Sequence, residues 1–261
     1  MGWSKNTPLL LPLLALPYLA GCATVLETGR TQLLIYSEPE LVTMGAQAYA
    51  EATEDYSLIL GTEQAAMVQT VGEKIAAASG REYEWEFKLL DAPDVVNAFA
   101  LPGGKIAVYS GLFKVAPDAD SLATVVGHEV AHVTAQHGNE RMSQSNLAAL
   151  GLGAGQILLN TWDDPSANTK NLVMGLLGLT VDVVALKPYS RLHESEADEI
   201  GLRFLVRAGY DPQAAPALWE RMAELNPSGS FALFATHPDP LDRAKRLRQL
   251  IPTVVAEETR K

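Results

Sequence analysis

The stretch Val126-Gly127-His128-Glu129-Val130-Ala131-His132-Val133 lies inside an apolar run of helical spacing, and its reading decides the fold. The helical pattern starts at Asp120 or Ser121, either a good N-cap, and runs to Gln136 or His137 with Gly138 as its stop. At about 100° per residue, positions i and i+4 lie about 40° apart, so His128 and His132 leave one face a turn apart. Two imidazoles placed in this way can bind one Zn²⁺ at about 2.0–2.1 Å. Glu129 points to the side of such a metal, where it can take a proton from an attacking water. The same pentapeptide is also compatible with two partly buried histidines on a core helix, one of which would need hydrogen-bond partners.

A second element lies downstream. Ser190-Arg191-Leu192-His193-Glu194-Ser195-Glu196-Ala197-Asp198 opens another helix, with Glu194 and Asp198 again four apart. A catalytic zinc site uses three protein ligands and keeps one position open, and two His with one Glu form such a set. Asp198 could accept the outer N–H of a ligating imidazole and so fix its tautomer. Alone, Glu194, Glu196, Asp198 and Glu199 would read as a solvated acidic helix start favoured by the helix dipole. Paired with the upstream helix, they complete a site in which His128, His132 and Glu194 hold the metal and Glu129 is the general base. His137 is about 140° around the helix from His132, so it is expected at the surface or behind a ligand, not on the metal. His193 is expected to be exposed.

Working outward, Leu41 to Leu60 and Glu63 to Ser79 have helical spacing, with Gly61 and Gly80 as stops. Trp85 to Leu90, Val95 to Leu101 and Lys105 to Ser110 read as strands, the last two joined by a turn at Pro102-Gly103-Gly104. Asn97 to Leu101 is either a core strand or an edge able to bind an extended substrate by strand addition. Asn146 to Leu159 and Leu172 to Leu186 are apolar helical runs around the polar loop Asp163 to Thr169. Neither reaches bilayer length, which leaves a packed hairpin, a flap over the site, or a membrane-facing surface. Helices follow at His193 to Ala208, Gln213 to Leu225 and Asp239 to Leu250. Strands early and helices throughout predict an α+β fold, mostly helical with a small sheet.

The length of 261 residues allows one substantial core, and a net charge of −11 argues against nucleic acid as a partner, since phosphate binding needs clustered Lys and Arg. Lys5 and the apolar run Leu9 to Leu19 read as a signal peptide over residues 1–21, too short to span a bilayer. It ends in Leu19-Ala20-Gly21-Cys22, which resembles a bacterial lipobox. Cys22 is the only cysteine, so an intrachain disulfide and a cysteine zinc site are both excluded. The expected organisation is a lipid anchor at Cys22, a tether over 22–40, a domain over 41–252 and a tail over 253–261.

Five stretches together resemble the M48 family of membrane-associated zinc peptidases, and within it the bacterial periplasmic lipoproteins. They are Gly29 to Leu33 with Glu40 to Gln47, Asn97 to Gly104, Val126 to Val133, Ser190 to Asp198 with Gly201, and Thr236-His237-Pro238 with Arg243. The resemblance implies a zincin-like fold, one zinc per chain with Glu194 as third ligand, and proteolysis of misfolded or membrane-associated polypeptides in the periplasm. It also implies a place for Arg243 around the ligands and for His237 at the zinc. His237 would either donate to the oxyanion or close the resting site as a fourth ligand. Ala23, where an Asp would signal inner-membrane retention, points to the outer membrane. The chain lacks the helical-repeat extension and the multiple spanning helices of some relatives, so assembly chaperoning and intramembrane cleavage are not expected. The alternative is a lipoprotein that binds outer-membrane clients without cleaving them and uses zinc only structurally. Oligomeric state is not readable from the sequence.

Overall fold

The computed structural model describes residues 21–151, 190–226, 231–233, 237 and 240–260. The expected signal peptide and most of the apolar hairpin at 146–186 lie outside the described residues. Two short strands, β1 (Cys22–Thr24) and β2 (Thr31–Leu33), pair antiparallel. The segment expected as a plain tether therefore contains a hairpin, closed by Val25 N–H donating to Arg30 C=O at 2.9 Å. Gly29 takes φ 72° in its turn, a conformation that costs glycine little.

Helix α1 (Glu38–Thr53) follows, and its first turn is tied by the Ser37 N–H donating to Glu40 Oε2 at 2.8 Å. It starts before and ends well short of the expected Leu41 to Leu60. Helix α2 (Glu63–Ser79) matches its expected span, capped by Thr62 Oγ1 and stopped by Gly80 at φ 66°. The sheet has the order β3 (Glu86–Leu90), β5 (Lys105–Tyr109), β4 (Ala98–Leu101). β5 runs parallel to β3 and antiparallel to β4, with Ala98 opposite Val108 and Leu101 opposite Lys105.

Central strand β5 explains the layering. Ile106 and Val108 face a core shared with α2 and the metal-motif helix, whereas Ala107 and Tyr109 face a second cluster built on Leu41, Met44 and Tyr49 of α1. All four side chains are buried, so the alternation expected for a half-exposed strand is absent: a strand covered on both faces has no polar side.

Helix α3 (Ala119–Thr134) carries the His-Glu motif and is capped by Asp118, which accepts from Ser121 N–H at 2.8 Å. It ends at Thr134, Gln136 takes φ 56° two residues before the expected glycine stop, and α4 (His137–Gly151) begins at once. Helices α5 (Arg191–Ala208), α6 (Ala214–Leu225) and α7 (Pro240–Glu258) complete the described chain. α7 passes through Pro252 and reaches Glu258, which pairs with Arg203 and Arg207 of α5, so the expected tail is largely helical. Among the described residues no helix is long and apolar enough to cross a membrane.

The contact between α3 and α5 builds the site. A Cβ added at Gly201 would stand 3.0 Å from the backbone of Gly127 and of His128. Two glycines thus let the helix backbones touch, immediately beside the first histidine of the motif. Gly201→Ala is expected to cost about 1–3 kcal/mol of stability by overpacking and to weaken metal binding by forcing α5 away from α3. Thermal unfolding and a chelator competition would check both. An unchanged Tm with unchanged metal affinity would show that the approach is not needed.

Candidate metal centre

His128 and His132 project from the face of α3 that meets α5, and Glu194 projects from the first turn of α5. His237 joins them from the C-terminal segment, where its N–H donates to Leu233 C=O at 2.8 Å and Leu233 N–H donates to Val96 C=O at 3.2 Å. The four residues are buried, and one donor atom from each lies within 4.8 Å of the others.

The separations test whether a metal fits. His128 Nε2 is 3.0 Å from His132 Nε2 and 3.2 Å from His237 Nδ1. Glu194 places Oε1 3.3 Å from His132 Nε2, and Oε2 3.3 Å from His128 Nε2 and 2.8 Å from His237 Nδ1. Four donors at about 2.0–2.1 Å from one tetrahedral ion would stand about 3.3 Å apart. Ring nitrogens this close repel through their lone pairs unless a shared proton or cation lies between them. Glu194 Oε1 and Glu129 Oε1 are moreover buried without a hydrogen bond among the described residues. The donor set and its spacing fit zinc.

Charge in the cluster is balanced locally. Burial raises the Glu194 carboxyl, but His237 and His128 beside it hold it well below the usual carboxylate range. Burial pushes His132 well below the ordinary imidazole value, so it is neutral and its lone pair is available. Burial also lowers His237, yet Glu194 and Glu129 outweigh it and raise its pKa to about 9. A proton on His237 and a metal among the four donors are therefore alternative ways to neutralise the same carboxylates.

The groups around the ligands are equally specific. Asp198 Oδ1 lies 3.1 Å from His128 Nδ1. Arg243 donates through Nε to Asp198 Oδ2 at 3.0 Å and brings Nη1 to 3.1 Å from Glu194 Oε2, while its guanidinium lies 3.5 Å over the Trp219 ring. Arg246, which sequence reasoning missed, also donates to Asp198. Burial raises Asp198, but Arg243 and His128 hold it far below its ordinary value.

His193 is not exposed as expected, and of the two places expected for His137 the structure has the one behind His132. Both are buried, His137 fully, and they stack on each other behind His132 with ring centroids 4.5 Å apart. Burial pushes the His137 imidazole down to about 4, against the pull of Glu196. Burial raises Glu196, whereas His137, Thr28 and Arg30 draw it down to about 2. The break at Gln136 turns His137 back towards the ligand, which helical arithmetic on one continuous helix could not show.

Comparison with known proteins agrees with this geometry. The model of the family described as Peptidase family M48 matches residues 62–251. The mitochondrial metalloendopeptidase OMA1 of Schizosaccharomyces pombe is 33% identical over 217 residues, covering 80% of this chain and 60% of the relative. The zebrafish (Danio rerio) metalloendopeptidase OMA1 is 30% identical over 238 residues, covering 86% of this chain and 49% of the relative. The beta-barrel assembly-enhancing protease of Escherichia coli K12 is 32% identical over 170 residues, covering 62% of this chain and 34% of the relative. The chain thus spans between about a third and three-fifths of the length of these relatives.

Proposed function

Since the chain belongs to peptidase family M48, we propose that it is a zinc-dependent endopeptidase acting on misfolded or membrane-associated proteins of the bacterial cell envelope. The position of Glu129 carries this reading. Its Oε1 is buried 3.3 Å from His237 Nε2, beside the four donors but not one of them. A closed structural site has no use for this extra carboxylate, whose burial costs free energy. Zinc held by His128, His132 and Glu194 would polarise the scissile carbonyl and acidify the attacking water. Glu129 accepts the proton of that water and later delivers it to the leaving amine. Asp198 and Arg243 hold His128 and Glu194 in place, which limits reorganisation during the reaction.

Substrate is proposed to bind as an added strand. Among the described strands β4 pairs only with β5, which leaves its other edge open, and a groove bordered by Leu41, Tyr83, Ala100, Pro102 and Gln136 also has His132 in its lining. An extended peptide on that edge would be held by backbone hydrogen bonds, in keeping with a broad choice of unfolded substrates. The test is digestion of an unfolded model protein with and without a chelator, with zinc content measured. A chain that holds zinc, binds unfolded clients and never cleaves them would be a binding factor instead.

His237 is proposed as the fourth donor of a resting, latched site that substrate must open. Its proximity to Glu194 and His128 supports this role. His237→Ala is then expected to raise basal hydrolysis of a short peptide. A loss of about 10²–10³-fold without zinc coordination would make it an oxyanion donor. Unchanged activity would remove it from the site.

Attachment to the outer membrane through a lipid on Cys22 is the remaining part of the proposal, supported by the exposure of Cys22 at the start of β1. Cys22→Ser is expected to move the protein to the soluble fraction or to leave it unprocessed. Processing and membrane attachment like wild type would refute the anchor.

A further inference from the structure

Behind the four donors lies a polar network that the proposed reaction does not use, and it begins in the N-terminal hairpin. Arg30, in the turn between β1 and β2, donates through Nε to Glu196 Oε2 at 2.7 Å. Its two other nitrogens donate to Glu140 at 2.9 and 2.7 Å. The Thr28 hydroxyl also donates to Glu196. One guanidinium thus joins a carboxylate of α4 to a carboxylate of α5. Glu196 Oε2 lies 3.0 Å from His137 Nε2, and His137 Nδ1 lies 2.9 Å from His132 Nδ1.

The proton positions along this chain follow from donor and acceptor chemistry. A carboxylate held by a guanidinium and a hydroxyl can only accept, so His137 must donate to it from Nε2. A neutral imidazole protonated at Nε2 presents a lone pair at Nδ1. The 2.9 Å contact then requires the proton on His132 Nδ1. That leaves the lone pair of His132 on Nε2, the atom that stands among the four donors. Each link fixes the next, and the ring plane of His132 is fixed with its tautomer.

We propose that Arg30, acting through Glu196 and His137, is a positioning residue for the metal ligand His132, so that the docked hairpin 22–33 is an integral part of the metal site. This rests on the metal-site reading above. It makes metal affinity depend on whether the segment that follows Cys22 is seated on the domain. Metal ligands commonly have their outer N–H held by a carboxylate or carbonyl; here a second imidazole is interposed, and the carboxylate is oriented from a separate element.

The test uses the full chain and three readouts: zinc affinity by chelator competition, the visible spectrum of the Co²⁺ derivative, and Tm of the metal-free protein. Arg30→Gln and Glu196→Gln are expected to weaken zinc by about 10–100-fold and to shift the Co²⁺ bands. Arg30→Lys should recover part of the loss, because an ammonium can still hold Glu196. Thr28→Val removes a single donor to Glu196, keeps the guanidinium, and should fold like wild type while weakening zinc by a smaller factor. Arg203→Gln is the control: it breaks pairs with Glu199 of α5 and with Glu257 and Glu258 of α7, none of them among the described contacts of a histidine, and it leaves Arg207 holding Glu27 of the hairpin. It should lower Tm and leave zinc affinity alone. Wild-type zinc affinity and Co²⁺ spectrum in folded Arg30→Gln, Glu196→Gln and Thr28→Val would overturn the proposal while the metal site stands. Equal weakening by Arg203→Gln would overturn it as well, by showing a general loss of stability. A wild-type chain that binds no zinc would remove the metal site, and the positioning role with it.

Discussion

Replacing Glu129 with Gln is expected to leave one zinc per chain and to reduce hydrolysis of an unfolded protein by about 10²–10⁴-fold, the usual span for a lost general base. The change is nearly isosteric, so packing at this buried position on α3 is preserved. Glu129 is not one of the four converging donors, and His128, His132, Glu194 and His237 are all retained. An amide oxygen cannot take up and pass on a proton at neutral pH, so only the proton transfer is removed. His237 loses one of the two carboxylates that face it but keeps Glu194 at 2.8 Å. The variant therefore separates chemistry from metal binding, provided that zinc content is measured on the same sample. Undiminished, chelator-sensitive proteolysis by Glu129→Gln would sink the assignment of the base.

The parts of this arrangement that sequence reasoning reached are those whose determinants are local. The four-residue spacings of His128 with His132 and of Glu194 with Asp198 follow from helix geometry alone, and α2 lies between a Thr cap and a Gly stop that can be read directly. The two positive-φ glycines after Pro102 likewise mark their own turn. What escaped is held by contacts distant in the chain. The strands of the 22–33 hairpin are three residues long, too short to show alternation, and their order depends on Arg30 and Thr28 meeting Glu196 more than 160 positions away. His193 looks exposed because it precedes Glu194 and points elsewhere, yet Glu140 of α4 pairs with it in the interior at 3.0 Å. The break at Gln136 gave no signal, because a positive φ of 56° is uncommon for a residue other than glycine. The last helix runs past its expected end at Leu250 and through Pro252, although proline usually ends a helix, because Val254 and Glu258 beyond it are anchored to the domain.

Glu194→Gln is expected to behave differently from Glu129→Gln although the chemical change is the same. Glu194 is the only carboxylate among the four donors, and its two oxygens face three imidazoles and Arg243. Neutralising it removes the one anionic donor of the four and leaves the Arg243 guanidinium, 3.1 Å from the former Oε2, pressing positive charge on the site. A divalent ion placed there would meet that charge with less compensation, in a buried setting where screening by water is weak. The loss should exceed the roughly 10–100-fold typical of a residue that merely supports a ligand. Zinc affinity is therefore expected to fall by more than about 100-fold, with activity falling in parallel and recovering only in part at high zinc. Equilibrium dialysis of wild type and variant against buffered zinc, with a digest run on each, measures both quantities. Full metal occupancy with full activity in Glu194→Gln would place the third ligand elsewhere. Full occupancy with lost activity would move Glu194 from holding the metal to the chemistry itself.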